Sequence, residues 1–535
     1  MSRRPTASTD WLLLVGFSGF LFFFGLAYFG LVGADEPRYA QVAREMLARH
    51  DWITPTLGGS PWLEKPPLYY WQAMCAYRLF GVSDWAARLP SPLDATVMVL
   101  AVYFFLFRFG GAAKLDGALM TASAAGVIGF SRAASTDMPL AASFTLALLA
   151  WYAWHESGSR AALGIFYASS GLGMLAKGPV APLLAGVIIV IFALARGDWS
   201  LVWRTLVTPM VLLFAAIVVP WYAAVQVRNP DFFRVFILEH NLGRFGSNLY
   251  HHKEPFWYYV PVVLAALIPW VAAAIAALGE AMRTWRAEGR QGLQGENALN
   301  VFLLIWFVVP VVFFSVSQSK LPGYILPALP AGTLLLADYV HRRAEQGERP
   351  GWILIVAHSI VAAAPLVPAL LIQSILQRHR LAWGAGAAIS SGLAVTLGIG
   401  IAVTLRRASW GVLRFVTLAP VVLTVTALLR LGAPTLDASL SARPVAIEIS
   451  RMERKPLPLA VFHVSRESEF GLAFYRNQRI ERYELGQIPS GEHLVVAAAG
   501  SQTAVATLVN GRRVSYLGSF AAQGLDYYWV AGKSN

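Results

Sequence analysis

The chain has 535 residues, of which 56% are hydrophobic and only 14% charged, with a mean hydropathy of +0.54. Soluble domains run to roughly 45–50% apolar and about 25% charged. This composition therefore excludes a soluble enzyme, a disordered chain and a small disulfide scaffold, and leaves a polytopic helical membrane protein. The net charge of +13 falls largely between apolar stretches, where it signals topology rather than nucleic-acid binding. The single cysteine, Cys75, excludes an intrachain disulfide and a cysteine-built zinc cage.

About twenty apolar residues cross a bilayer. The first such stretch runs over 11–32. No small-residue cleavage signal follows it, so it reads as a retained helix. Further spans are predicted near 92–109, 115–131, 138–154, 161–176, 179–195, 203–225, 257–280, 299–317, 324–340, 352–374, 383–405 and 411–431, about thirteen in all. With Arg3 and Arg4 on the cytoplasmic side, every second gap is basic: Arg108 and Lys114, Arg160, Arg196 and Arg204, Arg283 to Arg290, Arg342 to Arg349, and Arg406 with Arg407. An odd number of spans then puts the tail outside, in the periplasm of a bacterium.

Two outward loops, 33–91 and 226–256, are far longer than connectors require. In 34–50, Tyr39, Val42, Ala43, Met46 and Leu47 recur on one helical face. Asp35 and Glu36 precede Pro37, which fits a helix start, and Asp35 is open to reading as a cap. Residues 66–80 give a second amphipathic helix that stops at Gly81, with a Gly- and Pro-rich turn over 55–63 between the two. Both are too short to span and are expected on the outer membrane surface. The 226–256 loop holds Asn229, Asp231, Arg234, Glu239, His240, Asn241, Arg244, His251, His252, Lys253 and Glu254. Its histidines have no standard ligand spacing. Acids at membrane depth are costly and mark function.

The tail, 433–535, changes character. Runs at 459–464, 494–499, 514–520 and 527–530 are bounded by turn residues and read as strands, while 443–453 and 468–476 read as helices. It carries no nucleophile or phosphate-loop motif. The domain reading is thus 1–432, a transmembrane domain including the loops 33–91 and 226–256, and 433–535, a small α/β domain.

Three motifs carry a resemblance: Ala34-Asp35-Glu36-Pro37-Arg38-Tyr39-Ala40, Trp62-Leu63-Glu64-Lys65-Pro66-Pro67-Leu68-Tyr69-Tyr70-Trp71, and Ser319-Lys320-Leu321-Pro322-Gly323-Tyr324-Ile325-Leu326-Pro327. With the outward turn Ser135-Thr136-Asp137-Met138-Pro139, the chain resembles the GT-C superfamily of polyprenyl-phosphate-sugar-dependent glycosyltransferases, related to the protein O-mannosyltransferases. Within that superfamily it is similar to the lipid A 4-amino-4-deoxy-L-arabinose transferase family over roughly 10–340.

The resemblance implies a GT-C fold and a bacterial inner-membrane enzyme. Its donor would be undecaprenyl-phosphate-aminoarabinose and its acceptor the phosphates of lipid A, a change of envelope charge that confers resistance to cationic peptides such as polymyxin. It implies that Asp35 and Asp137 are the catalytic acids and that Lys65 and Tyr324 grip the lipid phosphate. Arg38, Lys320 and Arg244 are further candidate cations for that phosphate. Glu36, Tyr39 and Tyr69 are candidates for sugar or acceptor. Family members can hold a divalent ion here, and Glu64 with His240, His251 or His252 is a carboxylate–imidazole set that suits zinc. Two other readings stay open: a different acceptor, as in a protein O-mannosyltransferase, and a lipid-linked sugar transporter. The clustering of ionisable residues at one surface and the lack of a repeat argue against transport.

Overall fold

The computed structural model describes residues 7–110, 113–243, 254–292, 297–378 and 384–533. It is a multi-pass helical membrane protein. Seven helical stretches are each long and apolar enough to cross a bilayer, and an eighth is a pair, Phe256–Ala266 and Val271–Gly289, bent by 118°. Many helices carry large apolar side chains outward, among them Leu212, Val219, Ile353, Ile360, Ile389 and Val395. In lipid such exposure costs nothing, because the solvent is as apolar as the side chain.

The predicted spans fall on helix, but five are interrupted. The first ends early: the α-helix Ala7–Ser18 continues as a π turn to Phe23 and then unwinds. Gly25 adopts φ +72°, a left-handed conformation that a glycine takes without penalty. Residues 24–34 therefore form an irregular exit and not the last turns of a span over 11–32. The 115–131 stretch breaks at Ala124 into Lys114–Ser123 and Ala125–Ser131. The 203–225 stretch breaks at 207–210, the 257–280 stretch at the bend around Pro269, and the 352–374 stretch into three short helices.

The two expected surface helices are present, as Asp35–Ala48 and Leu68–Phe80. Between them Thr56–Leu57 and Ser60–Pro61 pair as a tight hairpin. The carboxylate of Glu45 accepts from the amides of Gly58 and Gly59 at its tip, 2.8 and 3.1 Å away. The first surface helix buries Tyr39, Val42, Ala43 and Met46 against Tyr69, Tyr70, Ala73, Met74 and Tyr77 of the second. Its polar side is covered as well: Glu36, Arg38 and Gln41 are buried. The helix is thus an interior element, clasped between the membrane part and the tail.

The tail forms a five-stranded sheet in the order Glu481–Arg482, Leu459–Phe462, His493–Ala498, Leu525–Val530, Val514–Phe520. The first three strands are parallel and the last two antiparallel. Helices Arg443–Met452 and Arg466–Arg476 match the expectation. The short strand Glu481–Arg482 and the helices Ala433–Leu440 and Gln502–Leu508 lie outside it.

The tail is fastened to the irregular exit of the first span. Tyr475 Oη accepts from the Leu31 amide at 2.7 Å and donates to Asp84 at 2.6 Å. Asp437 accepts from the Gly30 amide at 2.7 Å, Arg443 joins Asp84 at 2.7 Å and Asp437 at 2.8 Å, and Val32 bridges to Ser441. A Cβ on Gly30 would lie 2.3 Å from Ser441 Oγ and 2.6 Å from Tyr475 Oη. Gly30→Ala is therefore expected to part the two units, seen as a lower melting temperature in detergent and as new protease cleavage near residue 430.

Candidate active site

The outward ends of the spans meet around one buried ion pair. Arg88, 1% exposed, holds Glu36 through contacts of 2.6 and 3.1 Å. The other donors of its guanidinium go to the carbonyls of Leu26, Phe29 and Gly30 at 2.8–2.9 Å. Glu36 also accepts from the amides of Val32 and Ala134, each at 2.8 Å. Every arm of both groups is used, which a buried pair requires to offset its desolvation. Glu36, a candidate for sugar or acceptor, is therefore engaged as a structural anchor. Tyr69 is likewise internal: it is fully buried, donates to the Ala87 carbonyl at 2.9 Å and packs edge-on to Tyr70. Its hydroxyl does not face an opening.

Asp35, one residue before this anchor, is the exposed acid. It caps nothing: the N-cap is Ala34 and no side chain closes the helix start. The Asp35 carboxylate pairs with Arg38 one turn on and keeps 54% of its side chain in the open. The Arg38 guanidinium lies over the rings of Tyr39, Trp62 and Phe470, at 5.2, 5.1 and 5.7 Å. Burial alone would lower its pKa, but Tyr39, Asp35 and Glu64 together push it above the ordinary arginine value, so it is a fixed cation. Burial pushes the Tyr39 phenol well up. Asp35 and Asp137 both add to that rise.

Asp137 opens the helix Asp137–Ser157 and pairs with Lys177, the last residue of Arg160–Lys177. Ser135 Oγ bonds the Asp137 amide at 3.0 Å and its carboxylate at 3.3 Å. The Lys177 ammonium sits 4.7 Å over the Tyr324 ring, which packs on Phe314 at 4.9 Å. Gly323 comes so close that a Cβ would lie 2.8 Å from the Asp137 carboxyl and from Phe130. Tyr259 Oη donates to the Leu321 carbonyl at 3.1 Å and accepts from its amide at 3.2 Å, which fixes the same loop. Lys320 is buried and donates to the Ser317 carbonyl at 2.6 Å. Burial lowers its pKa, partly offset by Glu254. Beside this loop lies an apolar cavity of about 380 Å³, lined by Ala125, Phe130, Val262, Pro322, Ile325 and Leu329 among others.

The 226–256 loop docks on the first long loop. Arg228 reaches Asp51 at 3.0 Å, Asn229 donates to Thr54 at 3.0 Å, and Trp221 donates to the Ile53 carbonyl at 3.0 Å. A π-helix, Phe233–Gly243, then brings His240 Nε2 to 3.8 Å from Glu64 Oε1. Lys65 is half-buried next door and donates to the Glu64 carbonyl at 3.3 Å. Carboxylate plus imidazole suits a divalent ion such as zinc, which binds through three or four protein ligands. Among the described residues no group of three or more His, Cys, Asp or Glu gathers to hold one. His251, His252 and Arg244 lie outside the described residues.

Sequence reasoning missed Arg88, Lys177 and Phe470. Lys177 carried a signal: it is a lone cation in an outward turn, against the positive-inside trend. Arg88 and Phe470 carried none, since their partners stand 52 and 432 residues away.

The fold is of the multi-pass GT-C type. A family model described as dolichyl-phosphate-mannose-protein mannosyltransferase matches residues 64–223. An undecaprenyl phosphate-α-4-amino-4-deoxy-L-arabinose arabinosyl transferase of Pseudomonas aeruginosa (strain UCBPP-PA14) is 33% identical over 380 residues, which cover 68% of this chain and 66% of that protein. Its counterpart in Pseudomonas paraeruginosa (strain DSM 24068 / PA7) is 32% identical over the same shares. The match thus spans just under two thirds of these relatives' length. The crystal structure of ArnT from Cupriavidus metallidurans bound to undecaprenyl phosphate superposes with a TM-score of 0.78 over 99% of this chain and 100% of that one, at 24% identity. The chain belongs to the family of undecaprenyl phosphate-aminoarabinose arabinosyl transferases.

Two predictions follow from this geometry. Glu36→Gln leaves Arg88 buried without a counter-charge, which costs about 3–5 kcal/mol; thermal melting in detergent should fall sharply while Asp35→Asn melts like the native protein. Glu64→Ala should lower any zinc that copurifies, read by elemental analysis at fixed protein concentration.

Proposed function

We propose that this chain transfers 4-amino-4-deoxy-L-arabinose from undecaprenyl phosphate to a phosphate of lipid A, at the periplasmic face of a bacterial inner membrane, with inversion at the anomeric carbon. The observation that carries the reading is the pair of acid–cation couples, Asp35–Arg38 and Asp137–Lys177, each cation over a tyrosine ring and the second couple beside an apolar cavity. The names of the relatives supply the sugar and its lipid carrier. The cytoplasmic basic gaps and the outward placement of both couples support the orientation.

The donor is a lipid with an anionic head. Its isoprenoid tail suits the apolar cavity beside Gly323 and Tyr324, and its phosphate suits Lys65, Lys177 and Arg38. As the acceptor phosphate oxygen attacks the anomeric carbon, the bond to the donor phosphate oxygen breaks and undecaprenyl phosphate leaves with a developing negative charge. Cations fixed at that oxygen stabilise the transition state more than the ground state. The acceptor is already anionic, so it needs little deprotonation. Asp35, exposed and oriented by Arg38, removes a residual acceptor proton or stabilises positive charge on the ring as the bond breaks. Asp137 suits the sugar's cationic amine, with Lys177 free to turn toward phosphate when that amine arrives. A divalent ion held by Glu64 and His240 would supply further compensation of phosphate charge.

Purified protein, undecaprenyl-phosphate-aminoarabinose and lipid A test the reading directly: mass spectrometry of the lipid A should show the added sugar. A product on protein instead of lipid would favour a hydroxyl acceptor. Asp35→Asn should keep undecaprenyl phosphate binding and lower turnover by at least about 10²-fold. Lys65→Ala should raise the donor KM about tenfold, the loss of roughly one charge-assisted contact, with melting unchanged.

A further inference from the structure

The reaction site has a wall that the membrane part does not supply. Phe470, on the tail helix Arg466–Arg476, covers the Arg38 guanidinium. The same ring also lies under a second guanidinium, that of Arg466, at 5.6 Å. Two cations gathered on one ring repel each other unless each has a counter-charge. Arg38 has Asp35. Arg466 is exposed and forms no ion pair among the described residues; its neighbour Glu469 pairs with Arg482, at 3.7 Å, and feels Arg466 only as a weaker charge.

The helix that carries Arg466 is not loosely placed. Four residues beyond Phe470, the Phe474 carbonyl accepts from Arg44 of the first surface helix at 2.9 Å. Tyr475 is bonded to both Leu31 and Asp84. These contacts join it to the helix that begins at Asp35. An exposed cation is thus held near the Asp35–Arg38 couple, while the membrane cations Arg38 and Lys177 are paired with acids and suit the donor phosphate.

We propose that Arg466, on the ring of Phe470, binds the anionic phosphate headgroup of the acceptor and so makes the tail domain the acceptor side of the site. This rests on the transfer reading above for the identity of the acceptor. Arginine suits the task, since its planar fork matches a phosphate oxygen pair and its other face stacks on an aromatic ring. Phe470 then acts as a positioning residue between donor side and acceptor side: it holds both guanidiniums, one turned to Asp35 and one to the incoming phosphate.

The test uses the full-length protein in nanodiscs. Arg466→Gln should raise the KM for lipid A about tenfold, with the donor KM within twofold of native and the melting temperature unchanged. Arg466→Lys should recover part of that loss. Equilibrium binding of fluorescent diphosphorylated lipid A, with no donor present, gives a readout that does not need the sugar reaction. Arg466→Gln should weaken it about fivefold or more, the native protein should bind dephosphorylated lipid A no better than the variant does, and inorganic phosphate at millimolar concentration should not compete. Equal lipid A binding in native and variant protein overturns the proposal. So does efficient competition by free phosphate, which would make this a free-anion site. If native protein binds lipid A through Arg466 yet transfers no sugar to it, the acceptor contact stands and the transfer reading fails.

Discussion

The buried pair of Glu36 and Arg88 is the constraint from which the site is built. It ties together three segments distant in the chain: the unwound exit at 26–36, the short helix Asp84–Arg88, and the turn at Ala134 that leads to Asp137. An irregular exit leaves backbone carbonyls and amides without helix partners, and at the edge of a bilayer these are costly to leave unpaired. Arg88 and Glu36 satisfy five such backbone groups between them. Asp35 is placed by being one residue before the anchor, and Asp137 by being three residues after one of its donors. Both acids are therefore held by backbone position, with their own carboxylates left for other partners.

Those partners are cations, and the pairing has a chemical consequence. A site for a phosphate ester needs positive charge, but an unpaired cation cluster in a half-buried cleft repels itself when empty. Here two of the cations are each matched with an acid, Arg38 with Asp35 and Lys177 with Asp137. In the proposed reaction an arriving phosphate would compete for the cation and release a carboxylate, which would then be available to the reaction or to the amine of the sugar. Binding and activation would then be two sides of one exchange of ion-pair partners. The arrangement also accounts for the close approach of Gly323 to Asp137: the loop that bears Tyr324 presses on the carboxylate and leaves Lys177 over the ring.

The sequence made some of this legible and hid the rest for definable reasons. The helices at 35–48 and 68–80 are legible because each packs an apolar face on the other, and such a face writes a period of 3.6 into the chain. The inner tail strands are legible for a different reason: buried on both faces, they write short continuous apolar runs bounded by turn residues. The first span was misjudged at its end because Phe24, Leu26, Phe29 and Leu31 are apolar without being helical; hydropathy measures burial and says nothing of backbone angles, and the left-handed Gly25 was the available sign. Glu36 looked as exposed as Asp35, since two adjacent acids point to different sides of a helix and the pattern does not say which side is covered. What covers it here is the partner Arg88, with the backbone of Val32 and Ala134. Long-range ion pairs of this kind leave no periodic trace.

The tail adds an argument about why the two units are joined in one chain. Its polar fastening to Gly30, Leu31 and Val32 closes over the same irregular segment that the Glu36–Arg88 pair braces from the other side. Without the tail, the amides of Gly30 and Leu31 would face water at the membrane surface and the segment before Asp35 would be held from one side only. Surface hydrogen bonds of this type contribute about 0.5–1.5 kcal/mol each, too little to assemble two separate proteins but enough, within one chain at high effective concentration, to keep a domain seated. A domain seated on the exit of the first span necessarily presents its next helix to the head of the surface helix, and that is where Phe470 meets Arg38. The fastening that completes the backbone of the membrane exit thus also determines which tail residues border the Asp35–Arg38 couple.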